Sequence, residues 1–248
     1  MTKTEAAVNA STFASLKNVA LAMKTMDRIV NRSHNLPGMA VMFSESGLGK
    51  SMAASAVATR YRGVYVECKS YFTKKSFLMA ILDEMALRPG RTIYEMVNQI
   101  AEELALSRRP LLVDEADYLA DRNVIDLVRD IYEASSAPIL LIGEEGFPKK
   151  LKRWERFHNR ILEWQPAIPA DMEDARKLAR LYSPEISIAD PLLELMVGAT
   201  RGVTRRIVVN IDTARLEAEK AGAKVADIKL WGHRSFYTGE APLIRRGA

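Results

Sequence analysis

The sequence predicts an α/β fold, in which a parallel β-sheet flanked by helices is followed by a small all-helical domain. Short, continuous apolar segments, typical of strands buried on both faces of a sheet, alternate with helical periodicity as far as Trp164. Beyond Pro166 and Pro169 the strand pattern stops and helical spacing alone continues. Regular alternation of strand and helix implies parallel strands joined by right-handed crossovers.

The predicted elements divide the chain into four segments. Strands are expected over residues 39–43, 63–68, 110–114, 138–142 and 160–164. Helices are expected over residues 12–30, 50–60, 76–87, 92–106, around 124–132, and over 171–182, 191–198 and 204–220. The segments are an N-terminal helical extension (1–34), the α/β domain (35–168), the helical domain (169–222) and an irregular C-terminal tail (223–248).

Composition limits the possible partners and location. The 248 residues carry a formal net charge of +5, which permits nucleic-acid binding but equally fits a solvated basic surface. No apolar run is long enough for a membrane span and the first residues lack the apolar core of a signal peptide, so we expect a cytoplasmic protein without a membrane partner. The single cysteine, Cys68, cannot form an intramolecular disulfide and is expected to be a small buried residue.

A glycine-rich segment after the first predicted strand carries the strongest chemical signal. It reads Ser44-Glu-Ser-Gly-Leu-Gly-Lys-Ser51 and opens a predicted helix, which is the context that a phosphate-binding loop requires. Glycines let successive backbone N–H groups converge on phosphates, Lys50 can reach the β- and γ-phosphates, and the Ser51 hydroxyl can ligate Mg²⁺. The predicted ligands are therefore ATP and Mg²⁺, and the predicted nucleotide-binding residues are Ser46, Gly47, Leu48, Gly49, Lys50, Ser51 and Met52.

Two features of this segment leave room for another interpretation. Ser44 replaces the first glycine of the usual pattern, at a position that tolerates small residues. Taken alone, Gly-x-Gly-Lys-Ser could also be a turn that starts a helix and exposes a solvated lysine. Under the phosphate-loop interpretation, Lys50 is expected to supply charge to the phosphates and to pack against little else.

Two adjacent carboxylates end the third predicted strand. Successive side chains there point in different directions, so Asp114 can hold Mg²⁺ through water while Glu115 faces the water that attacks the γ-phosphate. An isolated Asp-Glu pair could equally be a polar helix cap after a strand. Because both motifs occur on βα units in the expected order, together they predict a P-loop NTPase.

The glycine-rich loop, the segment Leu111-Leu-Val-Asp-Glu-Ala-Asp117 and the following helical domain resemble the AAA+ ATPases. Over residues 35–215 the chain is most similar to the transposition regulators typified by the B protein of phage Mu, and also to transposon target-selection and helicase-loader ATPases. The Mu protein has an additional N-terminal helix-turn-helix domain, for which there is no room before residue 35, so DNA binding is expected in the ATPase domain itself.

The resemblance implies a function and its partners. It implies an ATPase that binds duplex DNA without sequence preference, forms a ring or helical filament when ATP-bound, and regulates transposition through a transposase. It also implies slow hydrolysis that DNA and oligomerisation stimulate, in a bacterial host cell and with a phage or prophage origin. A helicase loader, and a signalling or scaffold module with negligible turnover, remain alternatives.

The resemblance also implies roles for several arginines. Hydrolysis at subunit junctions needs a basic residue from a neighbour, for which Arg160 is the first choice and Arg156 the second, with a solvated basic helix end as the alternative. The pattern Gly-x-x-Arg at a helix start indicates Arg205 as the residue that senses the γ-phosphate from the helical domain. Arg201 and Arg206 compete for that role.

The loop after the second predicted strand is where related ATPases contact DNA. Its lysines could bind phosphates and its Tyr71-Phe72 pair could stack on bases, although a solvated loop can have the same composition. The predicted DNA-binding residues are Lys69, Lys74 and Lys75. A second basic cluster could serve DNA or a neighbouring subunit, and consists of Lys149, Lys150, Lys152 and Arg153.

One position departs from the AAA+ pattern. After Ile142-Gly143 the family usually has Asn or Thr, which positions the attacking water, whereas this chain has Glu144 followed by Glu145. A carboxylate close to the γ-phosphate is repelled unless a cation or a shifted pKa relieves it. The sequence therefore predicts slow hydrolysis or a sensor supplied from elsewhere, unless both glutamates are simply solvated.

Overall fold

The computed structural model describes residues 16–241. They form two compact units, which meet in the sequence between Ile168 and Pro169. Residues 1–15 of the predicted N-terminal extension and residues 242–248 of the predicted tail lie outside the described residues. Within residues 16–241, no helix is both long enough and apolar enough to cross a lipid bilayer.

The first unit contains the predicted parallel sheet. Its strands are β1 (Met39–Ser44), β2 (Val64–Glu67), β3 (Leu111–Asp114), β4 (Ile139–Glu144) and β5 (Ile161–Pro166). In the described part of the chain the sheet has five strands in the order β2-β3-β4-β1-β5, and each neighbouring pair is parallel. The predicted α/β fold class is confirmed.

Position in the sheet explains the hydrophobic pattern of the strands. β1, β3 and β4 have a strand on either side and are covered by helices, so their side chains are almost all buried. β2 and β5 are edge strands. The side chains of β2 alternate between buried and more exposed positions, and those of β5 are all at least partly exposed. Cys68, just beyond β2, is buried as expected, with 1% of its surface exposed.

The helices of the first unit largely follow the predicted spans. They are α1 (Lys17–Val30), α2 (Lys50–Tyr61), α3 (Lys74–Glu84), α4 (Ile93–Ser107), α5 (Asp117–Asp121), α6 (Asp126–Ser135), α7 (Phe147–Leu151) and α8 (Glu155–His158). α3 begins two residues earlier than predicted because the side chains of Thr73 and Ser76 form a capping box at its start. The sequence did not indicate α5, α7 and α8, since helices this short show no apolar period.

The second unit is mainly helical. It contains α9 (Met172–Tyr182), β6 (Ser187–Ile188), α10 (Asp190–Thr200), α11 (Thr204–Lys220), β7 (Val225–Ala226) and α12 (Ile228–Trp231). β6 and β7 pair in parallel, so the prediction of an all-helical unit was incomplete. Two-residue strands are too short to produce an alternating pattern in the sequence.

The predicted irregular tail is partly ordered structure of the second unit. β7 and α12 lie beyond residue 222, and Trp231 is buried. The Asn210 side chain on α11 accepts a hydrogen bond from the Tyr237 N–H and donates one to the Tyr237 carbonyl. The packing of Trp231 and the hydrogen bonds of the buried Asn210 amide hold this segment in place. Neither contact produces a helical period, so the sequence did not predict an ordered structure here.

We predict that Gly202→Ala destabilises the second unit by about 1–3 kcal/mol. Gly202 has φ +72, and a Cβ at this position would lie 2.7 Å from the Ala170 carbonyl oxygen. The substitution therefore combines a left-handed backbone with a collision against main chain. The measurement is chemical denaturation followed by circular dichroism.

Gly198→Ala is the matched control. Gly198 lies within α10 and has open space around its Cβ position, so alanine there is expected to stabilise the helix by up to about 1 kcal/mol. Equal effects of the two substitutions would contradict the strain assigned to Gly202.

Candidate nucleotide-binding site

The loop between β1 and α2 has the backbone of a phosphate cradle. Gly47 and Gly49 both have φ +88, a left-handed conformation that side chains disfavour. Gly49 directly precedes α2, so the N–H groups of the first helical turn face the loop and add a partial positive charge. The Leu48 side chain is buried and fixes the loop to the core, while Ser46 and Ser51 are exposed.

The Lys50 ammonium forms hydrogen bonds with residues of its own loop. Its Nζ donates to the carbonyl oxygens of Ser44 and Glu45, at 2.9 and 2.8 Å, and approaches the Ser44 hydroxyl at 3.2 Å. The expectation that Lys50 packs against little else was therefore wrong. The Ser44 hydroxyl also donates to the Glu45 carbonyl, so the serine that replaces the usual glycine takes part in the loop's hydrogen bonds.

Asn18 on α1 anchors the same loop, and sequence reasoning missed it. Its Nδ2 donates to the carbonyl oxygens of Leu48 and Ile168, each at 2.8 Å, and its Oδ1 accepts from the Ile168 N–H at 2.9 Å. Asn18 is buried, so these bonds satisfy an amide that has little access to water. Asn18 lies on the buried face of α1, and its partners Leu48 and Ile168 are too distant in the chain to leave a local pattern in the sequence.

Asp114 ends β3 as a buried, hydrogen-bonded carboxylate. Its side chain is 2% exposed, Oδ2 accepts from the Tyr65 hydroxyl at 2.8 Å, and Oδ1 accepts from the Glu115 N–H at 2.9 Å. Burial, followed by the charge of Asp114, raises the pKa of the Tyr65 phenol, which therefore remains protonated and able to donate.

Glu115 departs from the strand path. Its φ is +52, a left-handed value that is uncommon for a residue with a side chain and often marks a functional position. Burial raises the pKa of its carboxyl, as do the charges of Asp114 and Glu144, and Lys50 partly opposes this. Burial lowers the pKa of Lys50, while Glu115 and Asp114 act in the opposite direction. These mutual effects identify one charged cluster at the carboxyl edge of the sheet.

Glu144 occupies the end of β4 beside the loop. It lies in register with Ser44, its side chain is exposed, and its N–H donates to Asp117 Oδ2 at 2.7 Å. Asp117 is buried, and Gly143 is required there because a Cβ would lie 2.5 Å from Asp117 Oδ2. The end of β4 is therefore held by a carboxylate that sequence reasoning did not single out.

Lys150 belongs to this acidic region rather than to a freely available basic cluster. Its Nζ lies 2.8 Å from Asp121 Oδ2 and 3.5 Å from Asp117 Oδ1. Burial raises the pKa of Asp117, and Lys150 partly offsets that shift. Of the second predicted cluster, Lys149, Lys152 and Arg153 remain as candidates for binding DNA or a neighbouring subunit.

The donor set fits a Mg²⁺ ion that arrives with a nucleotide. Among residues 16–241, no group of three or more His, Cys, Asp or Glu side chains is arranged as a metal site. Mg²⁺ in nucleotide sites usually takes one or two protein ligands and fills its octahedron with phosphates and water. The Ser51 hydroxyl and the Asp114 carboxylate are oxygen donors of that kind, and both belong to the carboxyl edge of the sheet.

Arg160 precedes β5 and so lies at the opposite edge of the sheet from the loop. Six residues of strand separate the two edges by about 20 Å. Its guanidinium pairs with Glu133 at 2.9 Å, whereas Arg156 on α8 is exposed and has no side-chain partner between residues 16 and 241. Action on a neighbouring subunit stays a prediction for both.

The arginines predicted to sense the γ-phosphate belong to the second unit. Arg205 is exposed on the first turn of α11. Arg201 has φ +54 and ends α10, and Arg206 is partly buried beside Gly239. The choice among the three stays a prediction.

Lys69, Lys74 and Lys75 follow the carboxyl end of β2, at the same edge of the sheet as the phosphate loop. Lys69 forms an ion pair with Glu67 at 2.7 Å. Lys74 and Lys75 are exposed on the first turn of α3, and among the described residues their side chains have no partner. Tyr71 is 69% exposed and contacts the ring of Phe72, which packs against the core. The segment thus presents lysines and an aromatic ring on an anchored loop.

The sheet order and the helices around it are those of the AAA+ fold. Residues 33–151 match the protein family described as an AAA domain. This range includes the phosphate loop, Asp114 and Glu115. No curated protein matches the sequence.

Solved structures with this fold include nucleotide-bound and DNA-bound proteins. The Aeropyrum pernix ORC2 protein, solved as ADPNP and ADP complexes, has 14% identity and a TM-score of 0.65, covering 86% of this chain and 65% of that one. The Thermotoga maritima RuvB Holliday junction branch migration motor has 17% identity and a TM-score of 0.59, covering 86% and 66%. The Aeropyrum pernix ORC1 protein in complex with DNA has 17% identity and a TM-score of 0.60, covering 86% and 62%.

These likenesses concern the fold. The chain spans less than two thirds of the length of each of the three proteins. The AAA+ fold is shown, whereas a specific membership among the Mu-type transposition regulators rests on the motifs of the sequence alone.

We predict that Glu115→Gln raises the thermal unfolding midpoint at neutral pH. Because the pKa of Glu115 is raised in the folded state, ionisation of this carboxyl lowers the free energy of unfolding. The loss is absent below the pKa that Glu115 has in the unfolded chain, and it grows as pH rises through the folded-state pKa. Glutamine carries no such charge. The gain over wild type should therefore shrink as pH is lowered from 7 to 4, in thermal unfolding followed by circular dichroism.

Glu145→Gln removes an exposed carboxylate that follows β4 and serves as control, with little change expected at any pH. A gain for Glu115→Gln that stays constant between pH 4 and 7 would show that ionisation is not its cause.

Proposed function

We propose that this chain is an ATP-hydrolysing AAA+ protein that assembles on duplex DNA when ATP-bound. The observation that carries the proposal is the convergence of Lys50, Asp114 and Glu115 at the carboxyl edge of the sheet, beside a glycine cradle at a helix N-terminus. A triphosphate in the cradle would have its terminal phosphate next to a cation, a metal-holding carboxylate and a water-orienting carboxylate.

Each residue has a distinct role in this proposal. The N–H groups of residues 46–52 bind phosphate oxygens, and on nucleotide binding Lys50 exchanges the carbonyls of Ser44 and Glu45 for phosphate. Ser51 and Asp114 hold Mg²⁺, which would neutralise charge on the phosphates. Glu115 orients and polarises the attacking water, and its raised pKa suits a group that accepts a proton.

Glu144 provides a reason for slow turnover. Its carboxylate lies within electrostatic range of both Lys50 and Glu115, so it opposes negative charge at the γ-phosphate.

Arg160, or Arg156 in its place, is proposed to complete the site of a neighbouring subunit. Arg160 would have to release Glu133, at small cost because exposed ion pairs contribute about 0–1 kcal/mol. Arg205 is proposed to sense the γ-phosphate.

We expect Lys50→Ala to abolish binding of a fluorescent ATP analogue, measured by fluorescence anisotropy. The substitution removes the charge for the phosphates and also the three contacts that Lys50 makes with the loop. Lys24→Ala, which removes an exposed lysine from α1, should bind as wild type does. Wild-type affinity in a folded Lys50→Ala protein would place the nucleotide elsewhere and sink the proposal.

The loop after β2 supports the DNA part of the proposal. Lysines in the first turn of a helix oppose its dipole, by about 0.3–1 kcal/mol each, so helix stability does not explain Lys74 and Lys75. Lysine contacts to phosphates read no sequence, which fits binding without sequence preference. Oligomerisation would align many such loops on one duplex and convert weak contacts into avidity. The fold is shared with an ORC1 protein solved with DNA.

Simultaneous substitution of Lys69, Lys74 and Lys75 by alanine should weaken ATP-dependent binding to every duplex sequence alike, without changing nucleotide affinity. Each lysine–phosphate interaction that the substitutions remove should reduce the log-log salt slope on duplex DNA by about 0.9. The measurement is DNA binding by anisotropy across a salt titration, with electron microscopy of the assemblies with and without ATP.

The charge-matched control replaces Lys24, Lys224 and Lys229, three exposed lysines far along the chain from this loop. An unchanged salt slope in the first triple variant would move the DNA surface elsewhere, with Lys149, Lys152 and Arg153 as the next residues to replace.

The partner that we propose for the DNA-bound oligomer is a transposase. This step rests on the resemblance of the sequence motifs to the Mu-type regulators. A helicase loader would instead retain a replicative helicase, and a scaffold module would bind ATP without turnover on DNA. Retention of purified transposase or helicase on the ATP-bound DNA assembly separates the first two, and phosphate release separates the third.

A further inference from the structure

Tyr65 links the edge strand of the sheet to Asp114. We infer that Tyr65 is a positioning residue that orients the Asp114 carboxylate for Mg²⁺, an inference that rests on the proposed nucleotide site. Its Oη donates to Asp114 Oδ2 at 2.8 Å. Neither the glycine-rich loop nor the Asp-Glu pair includes this residue.

The β2–β3 pairing explains how the bond forms. In the parallel register Tyr65 lies opposite Leu112 and Glu67 opposite Asp114. Alternate residues of a strand share a face, so Tyr65 and Asp114 are diagonal neighbours across the pair, within reach of a long aromatic side chain. The Cys68 N–H donates to the Asp114 carbonyl at 2.8 Å and extends the pairing past the end of β2.

The two bonds to the carboxylate orient it without saturating it. Oδ2 accepts from Tyr65 and Oδ1 from the Glu115 N–H, whereas an ionised carboxylate offers about four lone-pair positions. Capacity therefore remains for metal-bound water. Residues that orient a metal ligand in this way typically change metal affinity about 10- to 100-fold when removed.

Tyr65→Phe isolates this role because it deletes the donor and keeps the ring. The affinity for a fluorescent ATP analogue is measured in EDTA and across a MgCl₂ titration. We expect unchanged affinity in EDTA, and a Mg²⁺ concentration for half-maximal enhancement that is about 10- to 100-fold higher than for wild type. A merely structural bond would leave the Mg²⁺ dependence unchanged.

Tyr61→Phe is the matched control. Tyr61 also donates from its hydroxyl to a carboxylate, that of Asp27, but it lies at the end of α2 remote from the phosphate loop. Its Mg²⁺ dependence should equal that of wild type. Asp114→Ala defines the response when the metal ligand itself is removed.

Two outcomes would overturn the inference alone. They are a wild-type Mg²⁺ response in Tyr65→Phe, and a loss of affinity in EDTA as large as that in MgCl₂. If the wild-type protein bound the analogue neither in EDTA nor in MgCl₂, the proposed nucleotide site would be overturned together with the inference.

Discussion

The Lys50 ammonium stands among four carboxylates, and the rest of the site depends on this balance of charge. Glu115, Asp114, Glu144 and Asp117 all favour its charged form, against the burial that disfavours it. One lysine cannot neutralise four acids. A triphosphate brings more negative charge to the same place, so an accompanying cation should strengthen its binding here. The acidic surroundings thus favour a metal-bound nucleotide over a free one.

The fold brings these groups together because parallel strands end at a common edge. β1 delivers the phosphate loop, β3 delivers Asp114 and Glu115, and β4, lying between them, delivers Glu144. Secondary contacts then fix each part: Asn18 holds the loop and Asp117 holds the end of β4. The edge strand β2 contributes through Tyr65, and the segment that follows it carries the exposed lysines.

The sequence predicted what is local in the chain. The loop, the Asp-Glu pair and the buried strands each produce a pattern within a few residues, and the structure has the predicted sheet. Pairings across long separations left no such pattern. Asn18 and Leu48 are 30 residues apart, and Tyr65 and Asp114 are 49 apart. Lys150 was placed in a cluster that could serve DNA or a neighbouring subunit, because its acidic partners lie in a different segment of the chain. The two-residue strands β6 and β7 were too short to detect.

The proposed roles of Arg156 and Arg160 depend on a neighbouring subunit. Arg160 and Arg156 would act across a junction between subunits, and a single chain does not contain that junction. The exposed charge of Arg156 and the surface ion pair of Arg160 are both compatible with a role in an assembly. Prediction of such residues requires the geometry of the oligomer, which neither periodicity nor local motif encodes.

Cys68 makes the chain suitable for site-specific labelling. It is the single cysteine, it is 1% exposed, and burial raises the pKa of its thiol. Buried, protonated thiols react slowly with maleimides, so reporter cysteines can be introduced on the surface while the native one is kept. Because the Cys68 N–H is bonded to Asp114, modification of Cys68 itself would report that β2 has separated from the sheet.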